Sequence, residues 1–176
     1  MITLKCTRKL LKLLDVVTVD EPPSPTSALG DWYANVIPTV AGELVVFANE
    51  RTLLSIALPI EMLDRLALAF AARVYNLLVM IDVTAEIALR ESAELRPVEF
   101  AKTTSKSVLG SLNEISLHYQ LIAERHPASN PPLKLSEVEL QLSQILHKPL
   151  DYIYPAEVAR KLLTEHYGTR EAEKAA

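Results

Sequence analysis

Residues 2–6 alternate apolar and polar side chains, I-T-L-K-C, which is the period of a strand with one buried face. Thr7 is placed to cap a short helix whose Leu10, Leu11 and Leu14 share one face, with Arg8, Lys9 and Lys12 on the other. Residues 19–29, rich in proline and small polar side chains, predict a loop. The next thirty positions have the pattern of a meander. Aromatic and β-branched runs at 32–37, 44–48 and 53–58 are separated by turn residues at Ala41-Gly42 and at 49–52. The unbroken L-V-V-F-A run predicts a central strand covered on both faces.

Helical periodicity follows over 60–81, with Glu61, Asp64, Arg65 and Arg73 as its few solvated positions, and again over 84–95, with Glu86, Arg90, Glu91 and Glu94 outward. Pro97 ends this helix, and residues 98–101 alternate as one more strand. A further helix is expected over 107–125 and a linker over 127–133. The S-E-V-E run at Ser136–Glu139 has the pattern of a capping box ahead of an apolar face of Val138, Leu142 and Ile145. Pro155 suits the first turn of a last helix that stops at Tyr167-Gly168. The expected class is α+β: an antiparallel sheet of four or five strands packed against helices, with a helical C-terminal appendage. The core domain is expected over 1–126, its helical extension over 127–168 and a disordered tail over 169–176.

Composition narrows the reading only a little. With 176 residues, 49% hydrophobic and 23% charged, the chain suits a single globular domain. A net charge of −4 disfavours a DNA binder held by bulk charge, while leaving room for a local basic patch. The single cysteine, Cys6, allows neither an internal disulfide nor a thiolate cluster, which fits a reducing cytoplasm. Lysine or arginine at 5, 8, 9 and 12 interrupts the N-terminal apolar stretch, so no signal peptide is expected. Arg73, Asn76 and Asp82 interrupt the longest apolar run, so a buried helix is expected there and no membrane span.

Candidate chemistry concentrates in residues 100–118. Thr103, Thr104, Ser105 and Ser107 precede or open a helix, where free amides and the dipole favour an anion, and Lys102 and Lys106 add positive charge. The run lacks the G-x-x-x-x-G-K-[ST] spacing of a P-loop, and N-capping by Ser105 or Ser107 accounts for the hydroxyls equally well. On the helix, Val108, Leu112, Ile115, Tyr119 and Ile122 form an apolar stripe. Ser107, Ser111, Glu114 and His118 form a polar one beside it, with Asn113 nearby. Glu114 and His118, one turn apart, are candidates for an acid-base pair or simply a helix-stabilising pair. In the meander, Asp31, Trp32, Asn35, Asn49 and Glu50 are candidate ligand contacts; Asn49-Glu50-Arg51-Thr52 is also ordinary turn chemistry, and Trp32 is a core residue or a stacking platform at a site rim. No metal site or cofactor is expected, because His118, His126, His147 and His166 show no H-x-x-x-H pairing and Glu91-x-x-Glu94 has no matching histidine.

Three segments together, L-K-C-T-R-K-L-L-K-L-L at 4–14, L-G-D-W-Y-A-N with V-F-A-N-E-R-T-L-L within 29–54, and K-T-T-S-K-S-V-L-G-S-L-N-E at 102–114, resemble a family of small bacterial proteins classed as a domain of unknown function. That family typically has an arginine in the serine-flanked position before V-L-G-S, followed by methionine and N-D. Lys106, leucine and N-E stand in those places here, so any role of that arginine falls to Lys106. The resemblance implies a bacterial cytoplasmic protein and brings no activity with it.

The functional expectation is a binding or regulatory module that recognises an anionic ligand, a nucleic acid or a protein partner in a cleft between the meander turns and the 107–125 helix. The alternatives are an enzyme on a phosphate-bearing substrate, with Lys102 and Lys106 as clamps and Glu114 or His118 as acid-base group, and a structural protein that self-associates through its C-terminal helices.

Overall fold

A computed structural model describes residues 1–126 and 133–175, with side chains as far as Gly168. The strands are β1 (Ile2–Cys6), β2 (Trp32–Thr39), β3 (Gly42–Asn49), β4 (Ser55–Pro59) and β5 (Val98–Lys102). The helices are α1 (Arg8–Leu14), α2 (Leu66–Met80), α3 (Ala85–Glu94), α4 (Lys106–Arg125), α5 (Leu135–Leu142) and α6 (Pro155–Ala175). Every strand read from the pattern is present, and together they form one sheet in the order β4-β3-β2-β1-β5.

The expectation of a purely antiparallel sheet is corrected. β2, β3 and β4 are an antiparallel meander, but β1 runs parallel to both of its neighbours, β2 and β5. The cause lies in the connections. A parallel neighbour needs a long crossover, and α1 with the proline-rich loop supplies one between β1 and β2. Strand periodicity carries no sign of direction, so the sequence pattern could not distinguish the two cases.

The alternation within each strand separates two apolar layers. Ile2, Leu4, Trp32, Phe47 and Ile56 face α2, with Phe70, Val74 and Leu77 opposite them. Tyr33, Val46 and Ala57 face the other way, onto Leu112, Ile115 and Tyr119 of α4 and Val138 and Leu142 of α5. β3 is therefore covered on both faces, as the L-V-V-F-A run predicts.

Four local expectations change. Residues 60–65 form a 3-10 turn, so α2 begins only at Leu66. The C-terminal helices are not an appendage: Ala156, Ala159, Leu163 and Tyr167 of α6 join the first layer, and Val138 and Leu142 of α5 join the second. Those are the apolar faces that self-association through these helices would need. The backbone of α6 continues through Gly168 to Ala175, past the expected stop and into the expected tail. The expected capping box at Ser136 is absent, since Lys134 occupies the cap position without a side-chain bond and Glu139 turns inward. Of the expected linker at 127–133, residues 127–132 lie outside the described part.

Glu139 and Glu91 hold these helices in place. Glu139 Oε1 accepts from the Ala57 amide of edge strand β4 at 3.0 Å and from Arg73 of α2 at 2.6 Å. Glu91, expected outward, is fully buried. Its two oxygens accept from the Ser27 hydroxyl, the Ala28 and Leu29 amides and the Tyr167 hydroxyl at 2.6–3.0 Å. A carboxylate removed from water must replace its hydration with donors of this kind. The effect is to pin the loop that enters β2 to both α3 and α6.

Candidate functional site

Lys5 on β1 sits in register with Tyr33 of β2 on one side and Ala101 of β5 on the other. All three point to the α4 face of the sheet, but α4 covers β2 and β3 and leaves the β1–β5 side open. The small Ala101 side chain adds to the gap. The proline-rich loop closes it from the edge, anchored where the Val19 amide donates to the Phe100 carbonyl at 2.8 Å. What results is a cleft of about 430 Å³ lined by Lys5, Asp31, Lys102, Thr104 and residues of the 19–25 loop, including Asp20 and Ser24.

Its floor is an ion cluster. The Lys5 ammonium lies 2.5 Å from Glu50 Oε2, 3.4 Å from Asp31 Oδ2 and 5.5 Å from the centre of the Tyr33 ring. Burial alone would push the Lys5 pKa down; the hydrogen bond and charge of Glu50, helped by Asp31, outweigh it and hold the pKa above its usual value. Lys5 is therefore a fixed cation, unsuited to act as a nucleophile or base at neutral pH. Asp31 Oδ1 also accepts from the Thr3 amide at 2.9 Å.

The residues around this floor are placed by the turns. Gly30 has φ +77°, and a Cβ there would come within 3.3 Å of Arg51 Cδ, so any other residue immediately before Asp31 would be strained. Asn49 is buried: its oxygen accepts from the Arg51 and Thr52 amides and the Thr52 hydroxyl, and its nitrogen donates to the Leu29 and Asp31 carbonyls. It shapes the site without facing it. The Tyr33 hydroxyl accepts from the Ser105 amide at 2.9 Å and lies 3.2 Å from the Thr104 hydroxyl, fixing the entry to α4.

Of the residues singled out from the sequence, Asp31 and Lys102 line the cleft and Glu50 supports it through Lys5. Trp32 is fully buried, edge-on to Phe70 with ring centres 5.2 Å apart, so it is the core residue and not the rim platform. Asn35 accepts from the Thr7 hydroxyl at 2.9 Å. Thr103 is half-buried between β5 and α4, while Lys106 and Ser107 are exposed on the first turn of α4. Ser105 supplies the cap, accepting from the Val108 amide at 3.3 Å. Ser111 is buried, and Asn113 and Glu114 face solvent.

Glu114 and His118 are not hydrogen-bonded to one another; both act electrostatically on the buried His147, which precedes a short turn between α5 and α6. Burial pushes the His147 pKa below its usual value; Glu114 opposes this and His118 adds to it. The folded state thus binds this proton less readily than the unfolded chain. The contribution of His147 to stability is complete above the unfolded value near 6.5 and lost as pH falls below it. His147→Asn is expected to flatten the fall in melting temperature between pH 7 and pH 5, measured by circular dichroism; an unchanged slope would contradict this origin.

Sequence reasoning missed Lys5, Asp20 and Ser24 as wall or floor of the cleft, while Thr104, one of the hydroxyls named ahead of α4, does line it. Lys5 reads as an outward strand residue, and only its parallel partners reveal that its face is closed off. Among the described residues no group of histidine, cysteine and carboxylate side chains is arranged to hold a metal ion, and no helix is long and apolar enough to cross a membrane. Burial pushes the Cys6 thiol up to about 12, which removes it as a nucleophile.

Comparison with known families places the chain. The family model described as a domain of unknown function, DUF6933, matches residues 3–158. The chain belongs to the DUF6933 family. The match spans β1 through the start of α6, so the cleft and both buried glutamates lie within the DUF6933 domain. No curated protein and no solved structure matches.

Proposed function

We propose that this DUF6933 protein is a small bacterial, cytoplasmic binding module whose site is the cleft between the proline-rich loop and the β1–β5 side of the sheet. The observation that carries the reading is the convergence of polar side chains from four separate segments, Lys5, Asp31, Lys102 with Thr104, and Asp20 with Ser24, on one open cleft. A volume of about 430 Å³ suits a small molecule better than a duplex or a protein surface. Lys102 has no ion-pair partner among the described residues and lines the cleft together with Thr104, which makes this side the place for an anionic group. Lys106, exposed at the start of α4, takes no part in lining it.

Lys102→Ala is expected to weaken the binding of acetate or inorganic phosphate at least tenfold in titration calorimetry, with the melting temperature unchanged. Lys106→Ala is expected to leave the affinity within about twofold, as for a rim charge outside the site. Equal affinity in wild type and Lys102→Ala would overturn the reading.

A further inference from the structure

The cleft has an imbalance of charge at its floor that the binding reading alone does not use. One ammonium, Lys5, serves two carboxylates, and it sits closer to Glu50, at 2.5 Å, than to Asp31, at 3.4 Å. The longer separation exceeds ordinary hydrogen-bond length, so Asp31 Oδ2 keeps acceptor capacity while Oδ1 is used by the Thr3 amide. The Asp31 side chain is only 10% exposed. A half-neutralised carboxylate at such a position, with Asp20 lining the same cleft, favours a cation from the ligand. At the rim the sign reverses, because Lys102 has no ion-pair partner among the described residues and Thr104 lines the same cleft.

Resting on the binding reading above, we propose that the ligand carries both charges: an ammonium that sits on Asp31 Oδ2 and a carboxylate that meets Lys102 and Thr104, as in a small ω-amino acid. A simple anion entering the cleft satisfies Lys102 but faces Asp20 and Asp31. A simple amine satisfies Asp31 and leaves Lys102 unmatched. A molecule with both groups meets each sign where the cleft presents its opposite, and specificity then comes from the separation of its two ends.

The test uses the full chain and titration calorimetry with acetate, ethylammonium, glycine, γ-aminobutyrate and 6-aminohexanoate as probes. At least one amino acid is expected to bind tenfold or more tightly than either acetate or ethylammonium. Asp31→Asn, which keeps an oxygen for the Thr3 amide, is expected to abolish that gain, while acetate, relieved of a facing negative charge, binds at least as tightly as to wild type. Lys102→Ala is expected to weaken acetate and amino acid together. If acetate binds in a Lys102-dependent way but no amino acid binds more tightly, or the gain survives Asp31→Asn, the two-charge ligand is overturned and the binding reading stands. If neither acetate nor phosphate nor any amino acid binds, both fall. The wild-type probe series decides the proposal even where Asp31→Asn fails to fold.

Discussion

Glu91→Ala is expected to lower the melting temperature by about 10 °C, since a loss of roughly 4 kcal/mol corresponds to a few degrees per kcal/mol in a chain of this size. The side chain is fully buried, and its removal takes the shared acceptor from Ser27, Ala28, Leu29 and Tyr167 at once. Glu91→Gln fills the same volume but must turn a donor toward donors on one side, so it is expected to cost about half as much. The effect reaches the cleft as well. Residues 27–29 lead directly into Gly30 and Asp31, so Glu91→Ala is expected to weaken anion binding at Lys102 without touching that residue. Thermal unfolding by circular dichroism with calorimetry on the same sample reads both, and a shift under about 2 °C would contradict the role assigned to Glu91.

Glu139→Ala is expected to cost about 3 kcal/mol, because it leaves Arg73, whose side chain is 24% exposed, without its carboxylate and the Ala57 amide without an acceptor. The pH dependence separates this residue from a surface ion pair. Burial pushes the Glu139 pKa up, and Arg73 with the Ala57 amide pulls it only part of the way back, so the folded state holds the proton more tightly than the unfolded chain. The corresponding stability is present below the unfolded value near 4.5 and lost as pH rises through the folded value. Glu139→Gln has no proton to lose. The stability advantage of wild type over Glu139→Gln is therefore expected to be greatest near pH 4 and to shrink toward pH 7, in the direction opposite to that of His147. An advantage that grows with pH would contradict the burial of Glu139 as its dominant environment.

Period and turn chemistry were enough to find the strands and the helix stripe of Leu112, Ile115 and Tyr119, since one face of each element is buried and the alternation is strict. Connection and direction were not legible, because the β1 pattern is the same whether its neighbours run parallel or antiparallel. The two buried glutamates were misread for a related reason. The helical period places Glu91 outward and the S-E-V-E pattern assigns Glu139 to a cap, both from local sequence alone, and only tertiary donors make a buried carboxylate tolerable there. The candidate site divides along the same line. Asp31 and Lys102 belong to segments where charge flanks a turn or a strand end, and they meet; Lys106, Asn113 and Glu114 follow the helix surface away from the cleft. Asn49 carried a real signal, since a buried turn asparagine organises backbone, but its amide is spent on the loops that shape the site.

The most direct test of the cleft as the site is a map of backbone amide shifts in isotope-labelled protein titrated with acetate. Shifts are expected to concentrate at Lys5, Asp31 and residues 101–104, with little change at Lys106 or Glu114. Shifts centred on Glu114, His118 and His147, or confined to the first turn of α4, would contradict it.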